Sequence, residues 1–545
     1  MNLLSADYHW LPFRMQDGQV QWLSWGHICD PDVVDFALPR ADFQCAAYQM
    51  TIGLLQTIFA PEDDEQWGEL YHQFPSAEQL QTAFQNVDHA FQVTGDGPLF
   101  MQDFDPLSAQ KPTTVSGLLI EAPGANGIKN NTDHFIKRGI GDVMSLEMAT
   151  MALFTLQMNA PSGGQGHRTG LRGGGPLTTL LVENMPEPIS LWQRLWLNVM
   201  NLDFLGASWQ AEPDDLHSGR IFPWLEPTKE SSQKNSEIYA KDVHPLHMYW
   251  AMPRRIRLIV EAQKAECQIS GQPCSLLVKS YRTQNYGGNY GGNWDHPFTP
   301  YKWDLKKPEQ EHLSIKGQPG GVSYKIWDNL SLSAPQDGFQ CAKVVRHFQK
   351  IFKEVGLAEY PRLWVSGYDM DNMKARGWYA LTLPLFDIGP QIQDEILPRI
   401  QRLQKLTNDA LWQTRTQIKT ALHPKEAKGD LTFIDMDFWH RSEPIFFMAI
   451  QQLIDAKDGQ LTTEQARQWL FKLRTLCFDL FDEYVLSTEL GIGNEHQLHK
   501  RMIARIMLKG WFFSRQKTNE IKKFMDDHQI VYQKESSHET EQTNA

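Results

Sequence analysis

Apolar positions recur with one rhythm in the first three quarters of this chain and with another after it. Short strand-like runs at Val20 to Trp25, Leu177 to Val182, Leu276 to Tyr281 and Leu363 to Ser366 alternate with helices and long loops rich in Gly and Pro. β-Branched and apolar residues at that density suit a pleated, half-buried surface. One helix is expected over Asp42 to Phe59, with Cys45, Met50, Ile52, Leu55 and Ile58 among its apolar residues and Pro61 just beyond its end. A second is expected over Asp142 to Asn159, where Met144, Met148, Met151, Ala152 and Leu156 recur at helical spacing and Pro161 follows as a stop. After about Pro390 the pattern becomes four long helical runs with short breaks, near Asp394 to Leu422, Asp430 to Asp455, Glu464 to Ser487 and Glu495 to Ser514. Ile396, Ile400, Leu403 and Leu406 mark an inward stripe on the first of these. Thr462 with Gln465, and Asn494 with Gln497, have the spacing of capping boxes at the third and fourth starts.

These patterns predict an α+β protein: a large irregular mixed α/β domain over 1–389, an antiparallel four-helix bundle over 390–515, and a polar, frayed tail over 516–545. A chain of 545 residues supports more than one core, because single cores rarely grow past about 300 residues. Its 41% apolar and 21% charged content is that of a globular protein. No apolar run reaches the roughly 18 residues that cross a bilayer, so no membrane contact is expected. The first residues carry neither a basic region nor an apolar stretch, and six cysteines are too few for a disulfide scaffold. A cytoplasmic protein with reduced thiols is the expectation.

The net charge of −13 argues against free-standing, non-specific nucleic-acid binding. Cations nevertheless gather late in the chain at Lys500, Arg501, Arg505, Lys509, Arg515, Lys517, Lys522 and Lys523. Screening confines such a field to about 8–10 Å, so a local contact with a polyanion is possible on an acidic protein. Lys500, Arg501 and Arg505 are therefore candidate contacts to a DNA backbone.

The strongest functional signal lies between Ala160 and Pro176, where seven of seventeen residues are glycine and three others are His167, Arg168 and Arg172. Glycine costs conformational entropy and is kept where a backbone turns sharply or approaches something closely. No lysine follows these glycines as in a P-loop, and the third glycine of a dinucleotide fingerprint comes one place late. The loop also follows a helix and precedes a strand, the reverse of a Rossmann turn. What remains is a loop that presents its backbone from a rigid frame.

A second glycine-rich element, Asn285 to Trp294, repeats Asn-Tyr-Gly-Gly, with Lys279 and Arg282 just before it. Alternating aromatics and amides are found on nucleic-acid surfaces. In a third, Gly367 to Arg376, the pair Asp369 and Asp371 lacks the further carboxylates of a calcium loop, so a polar turn is expected. A fourth, Ala122 to Arg138, is long and hydrophilic. No zincin helix, nucleophile elbow or Cys-x-x-Cys pair occurs, so no catalytic residue, metal site or cofactor is expected and the protein is read as a non-enzyme. The alternatives are an enzyme that clamps a phosphorylated small molecule with Arg168 and Arg172, or a scaffold that binds protein alone.

Four of these stretches together resemble the large subunit of the type I-E CRISPR surveillance complex Cascade, the CasA family. They are the Met-Asn-Leu-Leu start, Ala160-Pro161 followed by Gly-Leu-Arg-Gly-Gly at Gly170 to Gly174, Trp294-Asp295-His296-Pro297, and Gly367 to Asn372. The resemblance implies an antiviral-defence subunit that recognises the protospacer-adjacent motif (PAM) in double-stranded target DNA, helps start the R-loop, and recruits the helicase-nuclease. It also implies other Cascade subunits and a guide CRISPR RNA as partners. The resemblance assigns the glycine loop to Ser162, Gly163, Gly164, Gln165 and Gly166, a basic finger to about Asn285, and an amide wedge to Asn372 with Asp371 and Met373 beside it. Asn130, Asn131, Phe135 and Lys137 would contact the guide RNA. Two departures stand out: Asn285 occupies a place where a lysine can occur, so that Arg282 or Lys279 could supply the charge, and Asn372 is shorter than a glutamine.

Overall fold

A computed structural model describes residues 1–122, 139–161, 163–164, 166–184, 189–318, 320–357, 359–371, 374–422, 430–456, 458–487 and 495–531. Near the start, β1 (Leu11–Met15), β2 (Val20–Leu23) and β3 (Val33–Phe36) form an antiparallel sheet in the order β2-β1-β3. The expected run to Trp25 stops being a strand at Leu23. Trp25 leaves the pleat to pack edge-on against Trp10 and Phe91, with ring centroids 5.3 and 6.0 Å away. That aromatic core continues through Phe100, Trp224 and Trp250.

Helix α1 (Ala41–Ile58) packs on α2 (Leu146–Asn159), and both are buried on nearly every face, as central helices of a core must be. The second helix begins four residues later than expected. Met144 and Ser145 pair with Val278 and Leu277 in a sheet, and the Ser145 hydroxyl accepts the Met148 N–H at 3.3 Å, a cap that fixes the start.

Strand β4 (Thr178–Val182) follows the glycine loop. The Leu276 to Tyr281 run is the middle of β6 (Pro273–Gln284), whose antiparallel partner is β5 (Arg255–Glu266). Arg255 and Arg257 interrupt the apolar alternation of β5, which hid it from the periodicity reading. The last strands, β7 (Arg362–Asp371) and β8 (Lys374–Pro384), form a hairpin, and β7 pairs on its other edge with β4.

The chain divides into two compact units, Met1–Gln318 with Asn329–Leu385, and Pro319–Asp328 with Phe386–Ala545. The break near 385 lies close to the expected 389, but the excursion at 319–328 was not foreseen. Aromatic burial explains it: Tyr324 stacks on Phe446 at 4.4 Å, its hydroxyl donates to Ser442 Oγ at 2.7 Å, and Trp327 packs on Phe447 at 5.8 Å.

The second unit holds α3 (Pro390–Leu422), α4 (Thr432–Asp455), α5 (Thr463–Phe481) and α6 (Glu495–Phe512). Ile396, Ile400, Leu403 and Leu406 are buried, and α3 touches each of the other three. Thr462 and Gln465 close the expected capping box, whereas Asn494 lies outside the described residues. The tail departs from expectation. Residues Glu520–Asp527 form α7, capped by Asn519, and Ile521, Phe524 and Met525 are buried, with the Phe524 ring 5.2 Å from Trp469. Those apolar residues, at helical spacing inside a polar stretch, outweigh its composition.

Candidate nucleic-acid interface

Helix α2 leaves the core at Asn159 and delivers the chain to the glycine loop. Gly163 and Gly164 are exposed. A Cβ on Gly163 would lie 2.6 Å from the His167 Cβ and 2.7 Å from Nη1 of Arg254, so only a bare backbone fits. Gly166 has φ +79°, and a Cβ there would meet the Asn285 Cβ at 2.7 Å. The loop and the Asn-Tyr element therefore interlock.

The Tyr286 N–H donates to the Gly166 carbonyl at 2.7 Å, and the Ser231 N–H donates to the Tyr286 carbonyl at 3.1 Å. Tyr286 itself sits at φ +67°, a left-handed backbone that a bulky residue adopts only when its surroundings hold it there. Asn285 is consequently displayed, exposed, beside the bare loop.

The loop's arginines serve the scaffold. Arg168 donates through Nε to Ser231 Oγ at 2.7 Å and through Nη2 to the Ser231 carbonyl, with its guanidinium 5.8 Å from the Tyr286 ring. Arg172 is 3% exposed. Its guanidinium donates to Thr299 Oγ1 at 2.7 Å and to Gln49 Oε1, the Leu177 carbonyl and Thr178 Oγ1, each at 2.9 Å. Burial pulls its pKa down to about 10. The anion clamp considered for Arg168 and Arg172 does not form, because both are bound into the frame that holds the loop.

Beyond Arg172 the chain meets the third element. Pro176 bridges Lys316, the Leu177 N–H donates to Ile315 O at 2.9 Å, and Gly317 bridges Asp369 of β7. Asp369 is buried and held by Nη2 and Nε of Arg376 at 2.7 and 3.0 Å, an ion pair rather than a metal ligand. Asp371 pairs in register with Lys374, so positions 372 and 373 connect the two paired strand ends. The first unit thus gathers the glycine loop, the Asn285 element and the hairpin stem. Ser162, Gln165, Asn372 and Met373 lie outside the described residues, as do Asn130, Asn131, Phe135 and Lys137, and only the backbone of Asp371 is described.

Of the three finger candidates, Asn285 is the one that abuts the loop. Lys279 is bound to Gln263 at 2.7 Å and Glu261 at 3.3 Å, and Arg282 stands across from Arg257 in the β5–β6 pair. The second Asn-Tyr copy plays another part. The Tyr290 hydroxyl accepts the Met252 N–H at 2.8 Å and meets Nε2 of the buried His247 at 3.1 Å. Burial lowers the His247 pKa to about 4, so this copy is anchored to a neutral imidazole.

The basic helix differs from expectation. Arg501 is buried, Lys500 is half-buried, and Arg505 pairs with Asp482 at 2.7 and 3.0 Å while lying 3.9 Å over the Phe478 ring. Arg501 and Arg505 are four residues apart and share the inward side of α6. The outward side carries Leu498, Met502, Ile503, Ile506 and Met507, all exposed.

Two residues at the loop escaped the sequence reading, Arg254 and Tyr286. Three arginines within Arg254 to Arg257, in an otherwise apolar run, were the available signal for the first.

The sequence model of the CRISPR-associated protein Cse1 matches residues 2–480. Among solved structures, Thermobifida fusca Cse1 superposes with a TM-score of 0.68 at 16% identity, covering 97% of this chain and 98% of that one. Cse1 from Acidimicrobium ferrooxidans gives 0.65 at 14% identity, covering 97% and 99%. A chain of a CRISPR RNA-guided surveillance complex gives 0.62 at 13% identity, covering 93% and 99%.

Proposed function

This chain belongs to the CRISPR-associated Cse1 family, and on that premise we propose that it is the non-enzymatic large subunit of an RNA-guided antiviral surveillance complex, reading the PAM in duplex DNA. The observation that carries this reading is the bare backbone of Gly163, Gly164 and Gly166, with Gly166 interlocked with Asn285 and Tyr286 and the arginines Arg168 and Arg172 bound into the frame. The minor groove is only about 6 Å wide, so a backbone without side chains enters where larger groups are refused. Its donor and acceptor pattern is degenerate, which suits a reader that tolerates several short motifs and leaves the rest of the sequence to guide-RNA pairing.

In this reading Asn285 approaches the same groove with an amide in place of a cation. Asn372, between the paired ends of β7 and β8, acts as the wedge that starts strand separation and helps offset unstacking costs of a few kcal/mol per step. The stretch from Asn130 to Lys137 serves the guide RNA. Recruitment of the helicase-nuclease completes the role. The apolar outward side of α6 supports membership of a larger assembly, since an exposed stripe of this kind is a protein-contact surface.

The test is Gly163→Asp combined with Gly164→Asp in the assembled complex. Gel-shift affinity for motif-bearing duplex is expected to fall to that for motif-free duplex while assembly stays intact. Unchanged discrimination would refute the loop's assignment.

A further inference from the structure

Arg254 lies directly behind the loop and, unlike Arg255 beside it, has no carboxylate partner among the described residues. On β5, Arg255 pairs with Asp103 at 2.6 Å and with Glu230, and Arg257 donates to the Asp103 and Gly97 carbonyls at 2.9 and 3.1 Å. Arg254, immediately before that strand, makes no ion pair with a carboxylate among the described residues. It is 8% exposed, its Nη2 donates to the Pro161 carbonyl, and its buried Nε has no partner. Its main chain is pinned on both sides by Gln157, which accepts the Arg254 N–H at 3.0 Å and donates to the Arg254 carbonyl at 2.9 Å. The guanidinium is thus set against Gly163, with Nη1 2.7 Å from where a side chain would begin.

A buried cation without a carboxylate partner is expensive, and an anion arriving from outside offsets that cost. Burial pulls the Arg254 pKa down to about 10, which leaves the group charged at neutral pH. The adjacent His167, lowered by its own burial and by Arg254, stays neutral there. Arg254 therefore places a positive charge behind the bare backbone of Gly163.

We infer that Arg254 is a positioning residue of the motif reader. It fixes the entry of the loop through Pro161 and supplies, through the bare backbone at Gly163, a positive potential that holds DNA phosphate at the groove. In a poorly hydrated setting that field is screened far less than a surface lysine's. The inference rests on the motif-reading function proposed above.

The experiment uses the assembled complex carrying the wild-type chain, Arg254→Gln or Arg254→Lys, titrated against motif-bearing and motif-free duplex over a salt series. Arg254→Gln keeps a donor for Pro161 and removes the charge. It is expected to bind motif-bearing duplex about tenfold more weakly, with a shallower salt dependence and an unchanged melting temperature. Arg254→Lys is expected to stay within about threefold of wild type because it keeps the charge. Wild-type affinity in Arg254→Gln overturns the inference. So does equal loss in both variants, or a binding loss that tracks a lowered melting temperature, either of which makes the residue structural only. A wild-type complex that fails to distinguish the two duplexes overturns instead the motif-reading function beneath it.

Discussion

The glycine loop and helix α6 both carry clustered cations, both turn arginines inward, and they leave opposite surfaces behind. In the loop, Arg168 and Arg172 are absorbed by Ser231, Thr299, Gln49 and the start of β4, and the described residues left exposed include the bare Gly163 and Gly164. In α6, Arg501 is buried and Arg505 is taken by Asp482, and what faces out is Leu498, Met502 and Ile506. A count of cations along a sequence therefore does not locate surface charge. A guanidinium offers up to five donors in a planar fork, and a frame short of hydrogen bonds consumes them before any ligand can. The residue suited to touch a narrow groove is then the one with least side chain.

That contrast breaks first at Arg172. If the loop's arginines are scaffold, Arg172→Met strands Gln49, Thr299, Thr178 and the Leu177 carbonyl and should cost roughly 3–5 kcal/mol, read as a lower denaturation midpoint. A variant as stable as wild type but unable to bind DNA would return Arg172 to the role of ligand contact.

Acid sharpens the contrast next. His247 titrates near 4 in the folded protein against 6.5 in the unfolded chain, so between those values the unfolded chain holds more protons and stability rises with pH. Taking the protein from pH 7 to pH 4 should remove about 3 kcal/mol through this group. Among the described residues the buried histidines, His244, His247, His296 and His347, all belong to the first unit, so melts between pH 7 and 5 should lower its transition and spare the helical unit. Equal shifts of both would contradict the buried, neutral imidazole.

The smallest effect on folding is expected at Ile506→Glu, since Ile506 is 63% exposed and its replacement should alter stability by no more than about 0.5 kcal/mol. Co-purification with the other subunits should nonetheless fall. A variant that assembles normally would remove this side of α6 from the interface.

The long helices were legible because their periodicity is local, as the α3 stripe and the Thr462 box show. So was the glycine loop, because absent side chains are visible in any sequence. Other features depend on burial that no local pattern reports. Strand β5 was hidden by Arg255 and Arg257, which Asp103 satisfies from more than a hundred residues away. Segment 319–328 joins the helical unit through two aromatic rings, and α7 through three apolar side chains. At the candidate site, the resemblance named the loops, but the inward turn of the cations and the position of Arg254 are tertiary facts. Asn285 was singled out from sequence; that Tyr286 holds it with a left-handed backbone was not.

Strand β7 has one further implication. It is hydrogen-bonded on one edge to β8, which returns from the hairpin tip, and on the other to β4, into which the glycine loop runs. A displacement of the β7–β8 pair is therefore carried through a shared strand to the exit of the glycine loop. If the proposed wedge acts there, substitutions at the two ends of that strand should combine non-additively, so the two sites have to be engineered together rather than one at a time.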